Sequence, residues 1–373
     1  MAIPKCILIR KDEKIGMLAG PSWLCIWVRS VLIFSVRKIK TPLVRTRCMN
    51  CFSSHPKSRI GPIPLIICLA TIAVLTIGLC IFTGPAGFGF VSTGSGAADI
   101  VWSIRFPRVI AAFFVGAGLA VAGAAMQALF RNPMADPYIL GSSSGGALGA
   151  SMAIVFFGGF FVPVFAWVGS VAAILIVWSI AGRNGTIPVE ALLLTGIAVS
   201  FFFSAVVSFL IAIAGENVHQ ILFWLMGGFW NASLSDAFLM VCVLGIAGSV
   251  LFFMGRDLNA LSLGEETAAH LGIDAAQVRW IVLGASTLLV AGAVSIAGSI
   301  GFIGLVTPHV VRTLIGPENR AVIAASILAG GIILVLSDTL TRTFFSEMPV
   351  GVITAFIGAP FFIWMIHRQG ITA

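Results

Sequence analysis

The sequence predicts an all-α, polytopic integral membrane protein with about ten transmembrane helices. Hydrophobic residues make up 59% of the 373 residues and charged residues only 10%, and the mean hydropathy is +1.07. This composition is too apolar for a soluble domain of this length. Apolar segments long enough to cross a bilayer also recur along the chain, separated by short polar, Gly or Pro breaks.

The crossings follow in order from those breaks. We place them near residues 64–83, 106–130, 139–158, 164–182, 190–214, 236–255, 279–299, 322–341 and 350–367, with a shorter apolar piece near 303–314 as a full or partial tenth. An even number returns the C-terminus to the side of the N-terminus, and most Lys and Arg residues then collect on that side. The positive-inside rule makes that side cytoplasmic. We therefore predict a multi-pass protein of the cell membrane with both termini in the cytoplasm.

The basic charge belongs to the N-terminal segment. Residues 1–60 hold 12 Lys/Arg against 2 Asp/Glu, whereas residues 61–373 hold 10 against 12. We interpret residues 1–60 as a poorly ordered extension that the positive-inside rule keeps in the cytoplasm, and residues 61–373 as the transmembrane domain. Such a charge could also bind anionic lipid headgroups or nucleic acid, but the positive-inside rule is the simpler explanation, and we predict membrane lipid and no nucleic acid as partner. Cys48 and Cys51 resemble half a zinc site, but no second pair follows in this segment, so we predict no metal site.

The stretch from Arg105 to Gly149 is the most informative part of the transmembrane domain. Its helix carries Gly116, Gly118 and Gly123. Small residues are required on a crossing only where another backbone must approach closely. We therefore expect this helix to pack inside the bundle, and the polar segment 131–137 after it to form a hairpin.

Three arginines fall on the side opposite the other basic residues. Arg105 and Arg108 flank Pro107 at the start of a helix, where a positive charge opposes the positive end of the helix dipole. An acidic partner should meet them. Within the chain, Asp99 could pair with the first two arginines, and Asp338 lies four residues before Arg342 on the same helical face.

The longest polar interruption in the transmembrane domain runs from Arg256 to Arg279 and falls on the cytoplasmic side. Residues 265–271 in it favour a short helix, with Gly272 as the C-cap. The segment is either a plain connector or a docking element, and its length favours the docking element.

Several chemistries are absent from the sequence. No lysine follows Lys57, so no GxxxxGK[ST] phosphate-binding loop occurs in the transmembrane domain. We also find no HExxH or GxSxG motif. Ionisable residues within the crossings are scarce, which argues against an ion-coupled carrier. We predict that the chain is not an enzyme and that any ATP hydrolysis belongs to a partner.

Four segments together resemble the FecCD family, the permeases of ABC importers for iron-siderophores, haem and cobalamin. They are RFPRVIAAFFVGAGLAVAGAAMQALFRNPMADPYILG, NALSLGEETAAHLGI, GSIGFIGLVTPHVVR and MPVGVITAFIGAPFFIW, and the resemblance covers residues 61–373 in order. It implies a fold of the cobalamin-permease type with ten helices, paired with a second permease copy that is either identical or a sibling chain. It also implies two cytoplasmic ATPase subunits that bind ATP and Mg, an extracytoplasmic binding protein, and no cofactor in this chain.

The resemblance also assigns roles to particular residues. It implies that the binding protein docks on Arg105, Arg108 and Arg342. Contact with the ATPase is implied for Leu263, Gly264, Glu265, Glu266, Ala268, Leu271 and Gly272. A cytoplasmic gate is implied at Asn132, Met134, Val189 and Glu190, although a Glu departs from the small polar residue expected there and Asn132 with Pro133 could form only a turn.

We therefore predict import of an iron-siderophore, haem or cobalamin-type chelate by alternating access, driven by the separate ATPase. One alternative is an ion-coupled secondary transporter without an ATPase. The other is a sensory or scaffold membrane protein, in which charge reversal at Arg105 and Arg108 would leave uptake intact.

Overall fold

The computed structural model describes residues 61–84, 87–88, 100–182 and 189–368, apart from the side chains of residues 87, 88, 189, 366 and 368. All of them belong to one compact unit, Pro56–Ala373. The predicted extension at residues 1–60, with Cys48 and Cys51, lies outside the described residues, as does Asp99.

The described residues are almost entirely helical. The helices are α1 (Pro62–Phe82), α2 (Phe106–Leu129), α3 (Ser142–Phe157), α4 (Val162–Ala181), α5 (Val189–Ile213), α6 (Val218–Met226), α7 (Leu234–Val243), α8 (Ser249–Phe253), α9 (Gly255–Ser262), α10 (Glu265–His270), α11 (Ala275–Ala297), α12 (Ile303–Ile315), α13 (Asn319–Phe344) and α14 (Val350–Arg368). A π-helical turn at Val101–Arg105 leads directly into α2, a second at Leu244–Gly248 joins α7 to α8, and Gly215–Asn217 is a 3₁₀ turn. Strands β1 (Thr83–Gly84) and β2 (Gly87–Phe88) form a small antiparallel pair.

The predicted all-α architecture with about ten crossings is confirmed. Within the described residues, seven continuous helical segments are long and apolar enough to cross a membrane, and three shorter apolar helices, α3, α12 and α14, bring the total to ten. Prolines in the first turn mark the start of α1, α2 and α4, where a missing N–H costs nothing. Helix α6 was not predicted, because its nine residues are too few to register as a crossing.

Helix α2 lies at the centre of the bundle. In the most apolar 18-residue stretch of the span that contains α2, 89% is buried, against 17% in the corresponding stretch of α1. The glycines explain how the neighbours approach: Gly116 packs on the backbone of Gly330 in α13, and Gly123 packs on the carbonyl of Gly304 in α12. The expectation that this glycine-rich helix packs inside the bundle is confirmed.

Helices α3 and α12 begin inside the bundle. They have 16 and 13 residues, about 24 and 20 Å at 1.5 Å per residue, which is less than the hydrocarbon core of about 30 Å. Each follows a residue with a left-handed backbone, Gly141 with φ 83° and Phe302 with φ 69°. The non-helical segments 131–141 and 298–302 that precede these helices reach into the packed interior, where Leu140 and Ile300 are almost completely buried.

The two ends of the bundle differ. Arg105, Arg108 and Arg342 lie at one end, which we call the arginine end. Helix α2 carries the chain about 36 Å from there to Arg131 at the other end, which we call the hairpin end. Helices α9 and α10 also lie at the hairpin end, because Glu265 at the start of α10 forms an ion pair with Arg131.

Candidate translocation site

An open groove of about 650 Å³ runs along one side of the bundle. It lies between α14 and the end of α6, and the non-helical segment 298–302 contributes Ser299 to it. The lining residues are Leu225, Met226, Ser299, Gly351, Val352, Ala355, Phe356, Ala359 and Pro360. Phe356 is 80% exposed, so this side of α14 is uncovered in the single chain.

Non-helical backbone lies next to the groove. Non-helical backbone is tolerated at membrane depth only where it is buried in protein or lines a water-filled cavity. The inner side of segment 298–302 is held by two hydrogen bonds, from the Tyr138 hydroxyl to the Ile300 carbonyl at 3.1 Å and between the Ser143 and Ser299 hydroxyls at 2.7 Å. The outer side faces the groove through Ser299. The groove therefore combines a largely apolar wall with one hydroxyl, that of Ser299, on a non-helical segment.

The hairpin after α2 has the turn chemistry that its sequence indicates. The Asn132 side-chain carbonyl accepts a hydrogen bond from the Met134 amide at 2.9 Å, and the Ala135 amide donates to the Asn132 carbonyl at 3.1 Å. Asn132 is exposed and Met134 is half-buried. The turn is thus present, and the role of both residues in a gate stays a prediction.

The second predicted part of the gate lies at the start of α5. Val189 is the first residue of that helix, and its side chain is outside the described part of the structure. Glu190 is exposed in the first turn, where a carboxylate interacts favourably with the helix dipole. Its place at a helix start gives Glu190 a structural reason to be acidic, and its role in a gate is likewise untested.

The segment between α8 and α11 forms a compact unit of two short helices at the hairpin end. Helix α10 ends at His270, and Gly272 follows with φ 79° as the predicted capping glycine. The Gly272 amide donates to the Ala269 carbonyl and the Ile273 amide to the Ala268 carbonyl, each at 3.0 Å, and these two bonds define a Schellman cap. The helix position and its cap are confirmed.

Helix α10 is anchored on one side and exposed at both ends. Ala268 is completely buried, whereas Leu263 and Leu271, which flank the helix, are 71% and 63% exposed. Gly264 has φ 123°, a conformation that favours glycine, and it sets the turn between α9 and α10. Glu265 and Glu266 occupy the first turn of α10. Two large apolar side chains are therefore presented next to a helix outside the apolar spans.

The three arginines of the arginine end lie close together and point inward. Arg105, Arg108 and Arg342 are 9%, 6% and 4% exposed. Arg108 forms an ion pair with the buried Asp338, with Nη2 at 2.9 Å from Oδ1, and its Nε donates to the same carboxylate at 3.0 Å. Arg342 approaches the other oxygen of Asp338 at 3.8 Å. One buried carboxylate is thus shared by two guanidinium groups.

The remaining contacts of this cluster involve a partly exposed carboxylate and neutral oxygen acceptors. Arg108 Nη1 is 3.8 Å from Glu347, whose side chain is 51% exposed. Arg342 donates to the Cys80 carbonyl and, at 3.2 Å, to Thr339, and Arg105 donates to the Phe82 carbonyl at 3.5 Å. Among the described residues, three positive charges therefore face two negative ones, one of which is half exposed.

The sequence predictions for these residues have different outcomes. The expected pairing of Asp338 with Arg342 is present, but Arg108 holds the same carboxylate more closely, although 230 positions separate it from Asp338. Sequence reasoning could not find this contact, because no local pattern links α2 to α13. It also missed Ser299, whose only signal was the glycine-rich segment around it.

Comparison with known proteins identifies the class. The FecCD transport family matches residues 63–368. The chain is 40% identical over 294 residues to the cobalamin import system permease protein BtuC of Halobacterium salinarum, covering 78% of this chain and 79% of that protein. It is 39% identical over 293 residues to the hemin transport system permease protein HmuU of Yersinia pestis, covering 73% and 85%.

A solved structure agrees with these relatives. An inward-facing conformation of a putative metal-chelate type ABC transporter superposes with a TM-score of 0.76 at 31% identity, covering 82% of this chain and 99% of that chain. The protein is therefore a multi-pass membrane protein of the ABC importer permease class. It belongs to the FecCD transport family.

Proposed function

We propose that this permease moves a bulky metal chelate or corrinoid into the cytoplasm by alternating access, using energy from ATP that separate ATPase subunits bind with Mg and hydrolyse. A second permease copy, identical or sibling, forms the other half of the path. A binding protein delivers the cargo at the arginine end, which is extracytoplasmic, and both termini are cytoplasmic.

The surface around α10 carries this proposal. Leu263 and Leu271 are exposed on a short helix that lies outside the spanning segments, and exposed apolar side chains on a rigid element are typical of an interaction site. A Schellman cap and the buried Ala268 fix the position of the helix. A partner that pushes on α10 therefore moves a rigid body and not a flexible loop.

The open groove supports a second permease copy. Its outer wall is missing in the single chain, and the exposed aromatic Phe356 borders it. A second copy related by two-fold symmetry would face this groove with the same residues and enclose the path. The polar Ser299 and the small residues Gly351 and Ala355 would then line a wide and weakly binding passage.

The described carboxylates disfavour an ion-coupled carrier. In the spanning helices they are Glu190, Asp236 and Asp338. Glu190 and Asp236 lie in first turns, and Asp236 forms a capping box with Ser233. Asp338 is held by Arg108 and Arg342. None of the three is placed in the middle of a crossing, where coupled carriers keep their ionisable groups.

Uptake in proteoliposomes tests the proposal. We expect vesicles that contain the permease, its ATPase and its binding protein to accumulate cargo only with ATP and Mg²⁺, because this chain has no nucleotide-binding loop. The cargo is selected beforehand from cobalamin, haemin and a ferric siderophore by the thermal shift that each produces in the binding protein. Uptake that continues without the ATPase and collapses with the ion gradient would instead establish a secondary transporter.

Arg105 provides the test of the docking end. Among the described contacts it makes only a long hydrogen bond to the Phe82 carbonyl, so its charge is the least engaged of the three. We expect Arg105→Glu to weaken capture of the binding protein at least tenfold at low salt, with a smaller difference at high salt because of screening. The measurement is surface plasmon resonance over a salt series.

The control for this experiment is Arg256→Glu. Arg256 is exposed in α9 at the hairpin end, and its reversal should leave capture of the binding protein unchanged. We avoid reversing Arg108, because a second carboxylate beside Asp338 would destabilise the fold. Equal affinities for the wild type and Arg105→Glu at low salt would refute docking at this residue.

A further inference from the structure

Arg131 occupies a backbone position that usually belongs to glycine. It follows the last residues of α2 with φ 50°. The Arg131 amide donates to the Ala128 carbonyl at 3.3 Å, and the Asn132 amide donates to the Gln127 carbonyl at 3.2 Å. This pair of bonds is a Schellman cap with Arg131 at the left-handed position, where a residue with a Cβ is strained.

A strained residue at such a position suggests that its side chain has a role. The Arg131 guanidinium lies 3.7 Å from a carboxylate oxygen of Glu265, the first residue of α10. The same oxygen accepts a hydrogen bond from Arg279, which lies in the second turn of α11. One carboxylate therefore connects α10, the start of α11 and the hairpin.

The connection joins two parts of the molecule that have separate roles in the proposed function. Helix α10 is the surface for the ATPase, and Asn132 and Met134 of the hairpin directly follow Arg131. On the basis of the proposed function, we propose that Glu265 and Arg131 are positioning residues that transmit the movement of α10 to the hairpin. Glu265 thus acts within this chain rather than on the ATPase.

The solvent exposure of the Arg131–Glu265 ion pair determines when the pair can transmit movement. The Arg131 and Glu265 side chains are 43% and 51% exposed, so water and salt weaken their attraction in the free permease. The Arg279 side chain is only 13% exposed, and it keeps the Glu265 carboxylate in place. An ATPase that covers α10 would remove water from the pair and strengthen it. The link is therefore strongest in the assembled transporter, where movement must be transmitted.

Arg131→Gly is the most informative variant, because glycine removes the guanidinium and at the same time relieves the backbone strain at the left-handed position. We expect its melting temperature and its copurification with the ATPase to equal or exceed those of the wild type. Cargo transported per ATP hydrolysed should fall at least fivefold. Arg131→Lys, which keeps a positive charge near Glu265, should retain most of the transport.

The outcomes separate the link from a structural role. Wild-type transport per ATP in Arg131→Gly would refute the inference, as would an equal loss in Arg131→Lys. A purely structural role predicts that glycine is at least as good as arginine. If the wild type itself shows no ATP-dependent uptake, the proposed function fails, and the link is then decided by a measurement on the permease alone.

That measurement is hydrogen exchange of the hairpin amides in the purified permease. We expect Glu265→Gln to increase the exchange rate of the amides of Asn132, Met134, Ala135 and Asp136 at least threefold at low salt. Glu318→Gln is the control, because Glu318 is an exposed carboxylate that precedes α13 at the same end. Equal exchange in Glu265→Gln and the wild type would show that the carboxylate does not hold the hairpin.

Discussion

Gly123→Ala is expected to destabilise the bundle by about 3 kcal/mol, at the upper end of the cost of overpacking a core. A Cβ at this position in α2 would overlap the carbonyl of Gly304, and this obstacle is backbone that cannot rotate away. Pro137 and the Leu119 carbonyl of α2 also lie close to Gly304, so the contact between the two backbones is tight. The helices α2 and α12 must therefore separate.

The measurement is thermal unfolding of the detergent-solubilised protein, together with its elution profile in size-exclusion chromatography. Gly78→Ala in α1 is the matched control, because no atom lies within 4 Å of the Cβ that it would gain. Alanine is the better helix former there by up to about 1 kcal/mol, so the melting temperature should stay equal or rise. Similar melting temperatures for the two variants would contradict the close contact at Gly123.

The second large effect concerns assembly with the ATPase. We expect the double variant Leu263→Asp and Leu271→Asp to lose copurification with the ATPase, and uptake to fall to background. Both side chains are mostly exposed in the free permease, so the fold should be unaffected within about 0.5 kcal/mol. An interface that buries them would have to desolvate two unpaired carboxylates.

The double leucine variant should keep the melting temperature of the wild type, and this temperature is measured alongside copurification. Gln277→Asp tests whether added negative charge is by itself sufficient, because Gln277 is an exposed polar residue in the first turn of α11. The Gln277→Asp variant should still copurify with the ATPase. Normal assembly of the double leucine variant would show that the ATPase binds elsewhere.

Sequence reasoning succeeded where a property is local along the chain. The hydropathy of each span, the prolines that begin α1 and α2, and Gly272 after α10 all act through neighbouring residues. These signals located the crossings to within a few residues and predicted α10 together with its cap. The glycines of α2 also indicated a central position, since close backbone approach has few other uses.

The sequence was less informative where crossings are incomplete. The crossing predicted at 139–158 is α3, which begins only at Ser142, and the apolar piece near 303–314 is the short helix α12. Hydropathy cannot locate the start of such a helix, because the loops before both helices are also partly apolar. The tertiary structure joins these two loops by a hydrogen bond from the Tyr138 hydroxyl to the Ile300 carbonyl, between residues that are far apart in sequence.

By itself, the sequence determined that this protein is a helical membrane protein with a short capped helix in its longest polar interruption and a set of arginines that stand apart from the other basic residues. Only the tertiary structure decided what those charges contact: Arg108 shares Asp338 with Arg342, and Arg131 meets Glu265. The physical reason is the distance along the chain over which each effect acts. Hydropathy, capping and helix propensity act over a few residues, whereas an ion pair depends on which helices become neighbours.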